Sequence, residues 1–429
     1  MNYKINHANI KDWAKNYDGE LFDGILCDPP YELGFMGKSW DSSGIAFDTE
    51  MWADIFKLLK PGGHLLAFSG SRTYHRMAVA IEDAGFEIRD MIEWVYGSGF
   101  PKSLNIGKAV DKIQGNEREV VGKIAQPGST NKRLAMGNGW QDEPDLTKGT
   151  SEWEGYGTAL KPAHEPCVLA RKPLDGTVAN NVLKHGTGGL NIDGSRVKTS
   201  DSLDGGGTID KSDYETVTLP STPVRGRTGD DTGGRFPANL IHDGSDEVEA
   251  VFPQTKSGDI KPHHHKSNVY GGNALLSSKT INSSVATYGD SGSASRFFYT
   301  AKASKSERNA GLEGLPDIEQ HGHYAQDEWS RQNMGNTPDA KREPTKNNHP
   351  TVKPLSLTKY LATLIKPPTG GRLLVPFSGS GSEMIGALQA GWEYVEGVEL
   401  TEEYIPIAEA RIKYWLEKLE EESKQVSLI

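Results

Sequence analysis

Asp28-Pro29-Pro30-Tyr31 follows an apolar run, Leu21 to Cys27, that reads as a buried strand. Tandem prolines fix φ at two positions and remove two backbone donors, so the Asp28 carboxylate and the neighbouring carbonyls stand as acceptors with no local N–H to satisfy them. Such a tip is a pocket for an amino group, and Tyr31 adds a flat face for a planar ring. Together they suit a heterocycle with an exocyclic NH2, adenine or cytosine. Taken alone, the same four residues also describe a surface turn closed by Pro-Pro, and the rest of the chain has to separate the two.

Downstream of the tip the pattern alternates. Trp52, Ile55, Phe56 and Leu59 recur at helical spacing in a helix that starts near Thr49 and is expected to stop at Pro61-Gly62-Gly63. A strand over 64–69, a helix over 71–84 and a strand over 86–96 follow, the alternation of βαβ units on a parallel sheet. From Gly97 to about residue 295 the texture becomes rich in Gly, Ser, Thr, Asn and Asp, broken by apolar islands at 165–171 and 235–241. A structureless loop of that length is improbable inside a domain, so an inserted, loop-rich domain is expected, with mobile stretches near 200–232 and 254–294. His263-His264-His265 falls in one of them; consecutive histidines cannot all face one ion, so the run reads as surface and no metal site is expected. Regular structure returns at Arg296, passes a polar connector over 311–347, and resumes with a helix over 355–365 and a strand over 372–375.

Composition narrows the class. With 429 residues, 35% hydrophobic and 24% charged, the chain has the balance of a soluble globular protein of two or three domains. Its apolar runs are of strand length, and the first residues have no leader character, so a cytoplasmic location is expected. Two cysteines exclude a disulfide framework and a zinc site of the CxxC kind. A formal charge of -11 argues against a surface that binds nucleic acid all over, while leaving room for one basic face.

The second informative stretch is Pro376-Phe377-Ser378-Gly379-Ser380-Gly381-Ser382, which joins the strand at 372–375 to a helix over 383–390 and then a strand over 393–398 ending at Glu399. Two glycines let backbone approach a ligand closely, and an acid about twenty residues on can take both hydroxyls of a ribose. A dinucleotide fingerprint needs a third glycine where Met384 stands, so a pyrophosphate has no seat. Gly37-Lys38-Ser39 resembles the end of a phosphate loop, but Glu32 stands where its first glycine belongs. An adenosine without phosphates is left, and S-adenosylmethionine is the expected cofactor.

On these residues the chain resembles the N6-adenine and N4-cytosine DNA methyltransferases of the beta arrangement, in which the catalytic motif precedes a target-recognition region and the cofactor motifs come last. Asp28 to Tyr31 match the Asp-Pro-Pro-Tyr motif, Phe377, Gly379 and Gly381 match Phe-x-Gly-x-Gly, Glu399 matches the ribose-binding acid, and Thr351, Lys353 and Pro354 match Thr-x-Lys-Pro. The middle third, notably 161–166 and 295–299, is similar to bacteriophage and prophage members. The resemblance covers roughly 5–105 and 345–415. It departs at Val375, where the family usually has Asp, and at Asn9, which fills the place of an acid that bonds the cofactor adenine; an Asn carbonyl still accepts that bond.

The resemblance implies an α/β fold with a doubly wound, mostly parallel sheet and permuted motif order. It divides the chain into a catalytic half (1–105), an inserted recognition region (106–295) and a cofactor half (296–429). It implies methyl transfer to the exocyclic nitrogen of a base flipped out of double-stranded DNA, in a bacterial or phage-infected cytoplasm, within a restriction-modification setting. Asp28, Pro29, Pro30 and Tyr31 are the expected catalytic residues. Asn9, Asp28, Thr351, Lys353, Phe377, Ser378, Gly379, Gly381 and Glu399 are expected at the cofactor, and Lys38, Trp40, Lys102, Arg296, Lys302, Lys305 and Arg308 at DNA. Adenine is favoured over cytosine because cytosine enzymes of the family more often carry Ser at the position of Asp28. An RNA or protein-glutamine methyltransferase, a non-catalytic DNA-binding module, and a homodimer stay open. The fold expectation is sharp: the tip after 21–27 and the loop after 372–375 must leave neighbouring strands.

Overall fold

The computed structural model describes residues 2–33, 39–99, 103–123, 145–199, 234–256, 291–301, 304–316 and 346–426. Chain order begins with β1 (Asn2–His7), α1 (Ile10–Asn16), β2 (Phe22–Cys27), α2 (Thr49–Leu58), β3 (Leu59–Phe68), α3 (Tyr74–Asp83) and β4 (Glu87–Val95). The middle holds α4 (Ile106–Gln114), β5 (Glu119–Lys123), β6 (Asp145–Lys148), β7 (His164–Arg171), α5 (Val178–His185), β8 (Leu240–His242), α6 (Asp246–Glu249), β9 (Gln254–Lys256) and β10 (Ser291–Ser293). The chain then runs through β11 (Tyr299–Thr300), α7 (Lys305–Asn309), α8 (Leu355–Leu364), β12 (Arg372–Val375), α9 (Ser382–Gln389), β13 (Tyr394–Glu399) and α10 (Ile405–Val426).

Why β2 lies at the centre is visible in its side chains. All six of its residues are buried, and they alternate between two cores. Leu26 joins Leu66 and Phe68 of β3 in a core closed by α8, α9 and α10, whereas Ile25 and Cys27 join Leu65 and Ala67 in a core closed by α1, α2 and α3. Successive strand residues point to opposite faces, so a strand buried on both sides is apolar on both; its one charged residue, Asp23, is buried near its start and hydrogen-bonded there. Helices on both faces make the sheet doubly wound. Its order among the described strands is β1-β13-β12-β2-β3-β7-β4-β8-β11, parallel at every pairing except those of β7 with β3 and β4. Burial of residues such as Trp52, Ile25 and Leu66 stabilises each core by about 1.5–3 kcal/mol per large side chain.

β12 pairs directly with β2, Leu373 opposite Gly24 and Leu374 opposite Ile25. The expected adjacency therefore holds. From β2 the chain continues toward β3, and from β12 toward β13 on the other side, so the strand order reverses between them. A crevice at the carboxyl ends of strands that part in this way is where open α/β sheets hold ligands. At the opposite end, buried Asp23 ties the starts of three strands together, accepting from Lys60 Nζ at 2.7 Å and Arg372 N at 2.8 Å.

Two expectations are corrected. Pro61-Gly62-Gly63 is not a break after a helix but part of β3, which begins at Leu59. Lys172 donates to the carbonyls of Phe56 and Leu59 at 2.9 and 2.7 Å, and Gly62 N, at φ +78°, donates to Lys172 O, so the irregular strand start is held from outside. Nor is the stretch 106–295 a separate inserted body. Its apolar island at 165–171 lies in β7, wedged into the sheet between β3 and β4, and β8 extends the same sheet. Contacts divide the chain into two compact units, and the described part of the smaller one lies within Ser98–Ala163.

That smaller unit is α4 packed with the β5–β6 hairpin. Asn105 caps α4 by accepting from Lys108 N at 2.8 Å, and Gly115 ends it at φ +70°. Arg118 is clamped by Asp111 and by both oxygens of Glu154, each at 2.9 Å, and also donates to Thr147 O. Bidentate charge pairs of this kind organise a unit that has little core of its own. The stretches 200–233 and 257–290, where mobile segments and the histidine run are expected, lie outside the described residues.

Candidate active site

The end of β2 delivers Asp28 to the carboxyl edge of the sheet, where four side chains from distant parts of the chain meet. Lys353, just before α8, donates to Asp28 Oδ2 at 2.6 Å and to the Tyr31 hydroxyl at 3.0 Å, and its ammonium lies 3.1 Å from Glu165 Oε2. Tyr31 in turn donates to Glu165 Oε2 at 3.0 Å. Lys353 also sits over the Phe68 ring, 4.9 Å from its centre. Burial alone pulls the Lys353 ammonium down, but the Asp28 and Glu165 carboxylates more than offset it and hold it above its ordinary value. The Tyr31 phenol is pushed well up, first by burial and then by the same carboxylates, so it stays a neutral donor. Asp28 Oδ1 is buried and has no hydrogen-bond partner among the described residues.

Local structure fixes the tip. Thr73, ahead of α3, donates to Tyr31 O at 2.8 Å, and a side chain at Gly70 would press on the Tyr31 ring at 3.3 Å. The next residue, Glu32, takes a left-handed φ of +56°, a conformation that costs a non-glycine residue about 1–3 kcal/mol. Its carboxylate compensates by accepting from Gly44 N at 2.7 Å, and its own N–H donates to Asp41 at 3.1 Å.

The glycine loop after β12 packs beside this group. Gly379 N donates to Glu399 Oε2 at 2.7 Å and Thr401 N to Glu399 Oε1 at 2.7 Å, so the acid at the end of β13 is oriented by backbone donors. Burial raises the Glu399 carboxyl, with those donors opposing. Gly379 has φ +48°, and a Cβ there would meet the ring of His349 at 2.7 Å; Gly381 has φ +83°, and a Cβ would meet Ala408 of α10 at 3.2 Å. Ser378 is buried and donates to Val398 O at 3.0 Å through its N–H, while Phe377 packs on the α1–α3 side. Buried Arg411 of α10 donates to Ser380 O at 2.6 Å and to Ser382 Oγ at 3.2 Å, which braces the loop from below. Val375, where the family usually has Asp, is fully buried in the core beneath.

Thr351 is exposed; its carbonyl lies against the His349 ring, whose pKa burial lowers to about 4. Asn9 caps α1, its side-chain oxygen accepting from Lys11 N at 3.0 Å. Thus Asp28, Tyr31 and Lys353 converge, Phe377 to Gly381 and Glu399 form the adjoining wall, and Asn9 and Thr351 stand at its margins.

Two members of the site were not singled out by residue type. Glu165 comes from β7, whose antiparallel direction puts the start of the strand at the same edge where the parallel strands end. Glu383, in the first turn of α9, is 4% exposed, and its carboxyl is raised to about 7 by burial, with the Asp28 charge reinforcing and Lys353 opposing. Of the residues expected at DNA, Arg296 donates to Gly292 O and Ser293 O, and Arg308 to His349 O and Asn347 O, so both guanidinium groups brace backbone. Lys38, Lys102 and Lys302, with the side chains of Trp40 and Lys305, lie outside the described residues. Among the described residues no cluster of His, Cys, Asp or Glu is arranged to hold a metal ion, and no helix is long and apolar enough to cross a membrane.

Sequence comparison finds relatives that match part of the chain. The type II methyltransferase M.HindIII of Haemophilus influenzae is 27% identical over 146 residues, 33% of this chain and 37% of that protein. M.HpaI of Haemophilus parainfluenzae is 27% identical over 119 residues, 26% of this chain and 38% of that protein. The chain thus spans less than two fifths of the length of these curated relatives. Among solved structures, the cytosine-N4-specific PvuII DNA methyltransferase aligns over 96% of this chain and 86% of its own with a TM-score of 0.41 and 11% identity. The segment that brings Asp28, Tyr31 and Glu165 together, residues 22–187, matches the family model N6_N4_Mtase, described as a DNA methylase.

Proposed function

We propose that this chain transfers the methyl group of S-adenosylmethionine to the exocyclic nitrogen of a base in double-stranded DNA, with adenine N6 as the target. The observation that carries the reading is the state of Asp28. One carboxylate oxygen is held by Lys353 at 2.6 Å, and the other is buried with no partner among the described residues. A buried acceptor left unsatisfied costs about 1–3 kcal/mol, which an arriving N–H donor recovers. An amino group is the donor that fits, since the Pro29 carbonyl next to it has no local N–H to accept from.

The adjoining wall suits the cofactor. Glu399, oriented by Gly379 and Thr401, would accept from ribose hydroxyls, and Gly379 and Gly381 let the loop turn at positive φ where His349 and Ala408 leave no room for a Cβ. S-adenosylmethionine supplies a methyl group already activated on a sulfonium. What the chain adds is mainly position. Extruding the base from the duplex costs about a few kcal/mol, recovered when its ring stacks on Tyr31 and its amino hydrogens bond Asp28 Oδ1 and the Pro29 carbonyl. Those two bonds draw the nitrogen lone pair toward the methyl. As the N–C bond forms and the C–S bond breaks, the nitrogen sheds one proton, which passes to Asp28 and then to water.

The test is incubation of the purified full chain with methyl-tritiated S-adenosylmethionine and duplex DNA from a methylation-free host, then nucleoside chromatography. Label in N6-methyladenine supports the reading. Label in N4-methylcytosine keeps the chemistry and corrects the base; absence of label in the DNA, with label in RNA or protein offered in parallel, overturns the DNA assignment. In the same assay Asp28→Ala is expected to lose about a hundredfold or more in rate while still binding the cofactor.

A further inference from the structure

Three carboxyl groups, Asp28, Glu165 and Glu383, share the site with one ammonium, Lys353. Lys353 is committed to Asp28 at 2.6 Å and Glu165 at 3.1 Å. Glu383 makes no ion pair among the described residues. Arg411, the other cation facing it, directs its Nη1 donors to Ser380 and Ser382. The charged or titratable groups acting on Glu383 are thus Asp28 from the tip after β2, Lys353 ahead of α8 and Arg411 on α10, while Glu383 in turn bears on the buried Cys27 thiol. A carboxyl that is 4% exposed and beside a second acid thus has Lys353 and Arg411 near it but no cation within ion-pair distance among the described residues.

Resting on the proposed methyl transfer, we propose that Glu383 is the counter-charge for the sulfonium of the cofactor, so that binding of the cation is accompanied by release of a proton from this carboxyl to solvent. The placement follows from the transfer itself. A methyl group in line with a nitrogen held by Asp28 puts the sulfonium on the Asp28 side of the glycine loop, where Glu383 opens α9, while the ribose end lies at Glu399. The balance is simple, one proton leaving the carboxyl as one positive charge arrives. Because burial and Asp28 hold the Glu383 carboxyl at about 7, the release falls in an accessible range.

Isothermal titration calorimetry of the full chain with S-adenosylmethionine, in buffers of different ionisation enthalpy, counts the protons. We expect about half a proton released per cofactor at pH 7, close to one near pH 6 and almost none by pH 8.5. Affinity should tighten by up to about tenfold from pH 6 to pH 8. S-adenosylhomocysteine, which keeps the amino acid and loses the sulfonium charge, should release much less, and Glu383→Gln should bind S-adenosylmethionine with no release and with pH-independent affinity. Binding without proton release in the wild type overturns this inference and leaves the methyl-transfer reading intact, as does equal release with S-adenosylhomocysteine or with the glutamine variant. Absence of binding overturns both.

Discussion

At the scale of single residues, the site turns on how one ammonium is shared. Lys353 and the Tyr31 hydroxyl both meet Glu165 Oε2, so this carboxylate fixes the ring that would stack the base and, through Lys353, the acceptor that would orient the amino group. Glu165 acts through those two neighbours and is a positioning residue. Glu165→Gln keeps the shape and one acceptor but removes the charge. The Lys353 ammonium then leans wholly on Asp28, and Tyr31 loses a charge-assisted bond worth roughly twice a neutral one. The expected result is a fall of about tenfold in single-turnover methyl transfer, equivalent to about 1.4 kcal/mol, with cofactor affinity by calorimetry little changed. A parallel loss in cofactor affinity would place Glu165 in the cofactor site instead. Lys353→Met is harsher, because Asp28 and Glu165 stay buried without their cation. A loss of about 3–5 kcal/mol in urea stability is expected, and a smaller loss when Lys353→Met is made on the Glu165→Gln background, where Asp28 alone is left without its cation.

Among the elements, the glycine loop between β12 and α9 is the one whose conformation and surroundings both demand its sequence. Gly379→Ala places a Cβ 2.7 Å from the His349 ring and at φ +48°, so steric and backbone penalties add. Cofactor affinity should drop by at least tenfold in calorimetry while the circular dichroism of the fold persists. His349→Ala in the same chain removes the clash and not the backbone penalty, so it should restore only part of the loss; full restoration would mean that the left-handed geometry is not needed. This loop was legible in the sequence because glycines at fixed spacing, with a strand before and a helix after, carry their own conformational reason. β2 was legible for a similar cause, since a run buried on both faces carries one charged residue, Asp23, among otherwise non-polar positions. β7 was not. Its apolar core, 166–170, lies in a polar stretch, and nothing local tells an island under a loop from a strand inserted between β3 and β4 about 70 residues after its partner. Glu165 was missed with it, because its role exists only once an antiparallel strand brings its first residues to the catalytic edge. Glu383 was missed for another reason: an acid in the first turn of a helix ordinarily faces water and favours the helix dipole, and only burial against Asp28 gives it a different part.

For the molecule as a whole, the buried titratable groups oppose one another across the pH scale. Burial lowers His64 and His349 to about 4. An unfolded histidine titrates near 6.5, so below that pH the unfolded chain takes up protons that the fold refuses, and stability falls as pH drops from about 6.5 toward 4, by about 3 kcal/mol for each histidine. Glu383 has the opposite sign. Raised from 4.5 to about 7, it contributes stability that is fully present below about 4.5 and lost as pH rises through 7, also about 3 kcal/mol in full. The ligand-free protein should therefore be most stable near neutrality, with an acid limb set by the histidines and a flattened alkaline side set by Glu383. Urea midpoints of wild type and Glu383→Gln at pH 5 and pH 8 separate these parts. At pH 5 the folded group is neutral in both and the gap should be under about 1 kcal/mol, whereas at pH 8 the variant should be the more stable by about 3 kcal/mol. S-adenosylmethionine should narrow the gap at pH 8 by stabilising the wild type more, since only there does a carboxylate await its charge. Equal midpoints at pH 8 without ligand would mean that the ionised Glu383 is already compensated, and that the site does not hold its third acid at the expense of stability.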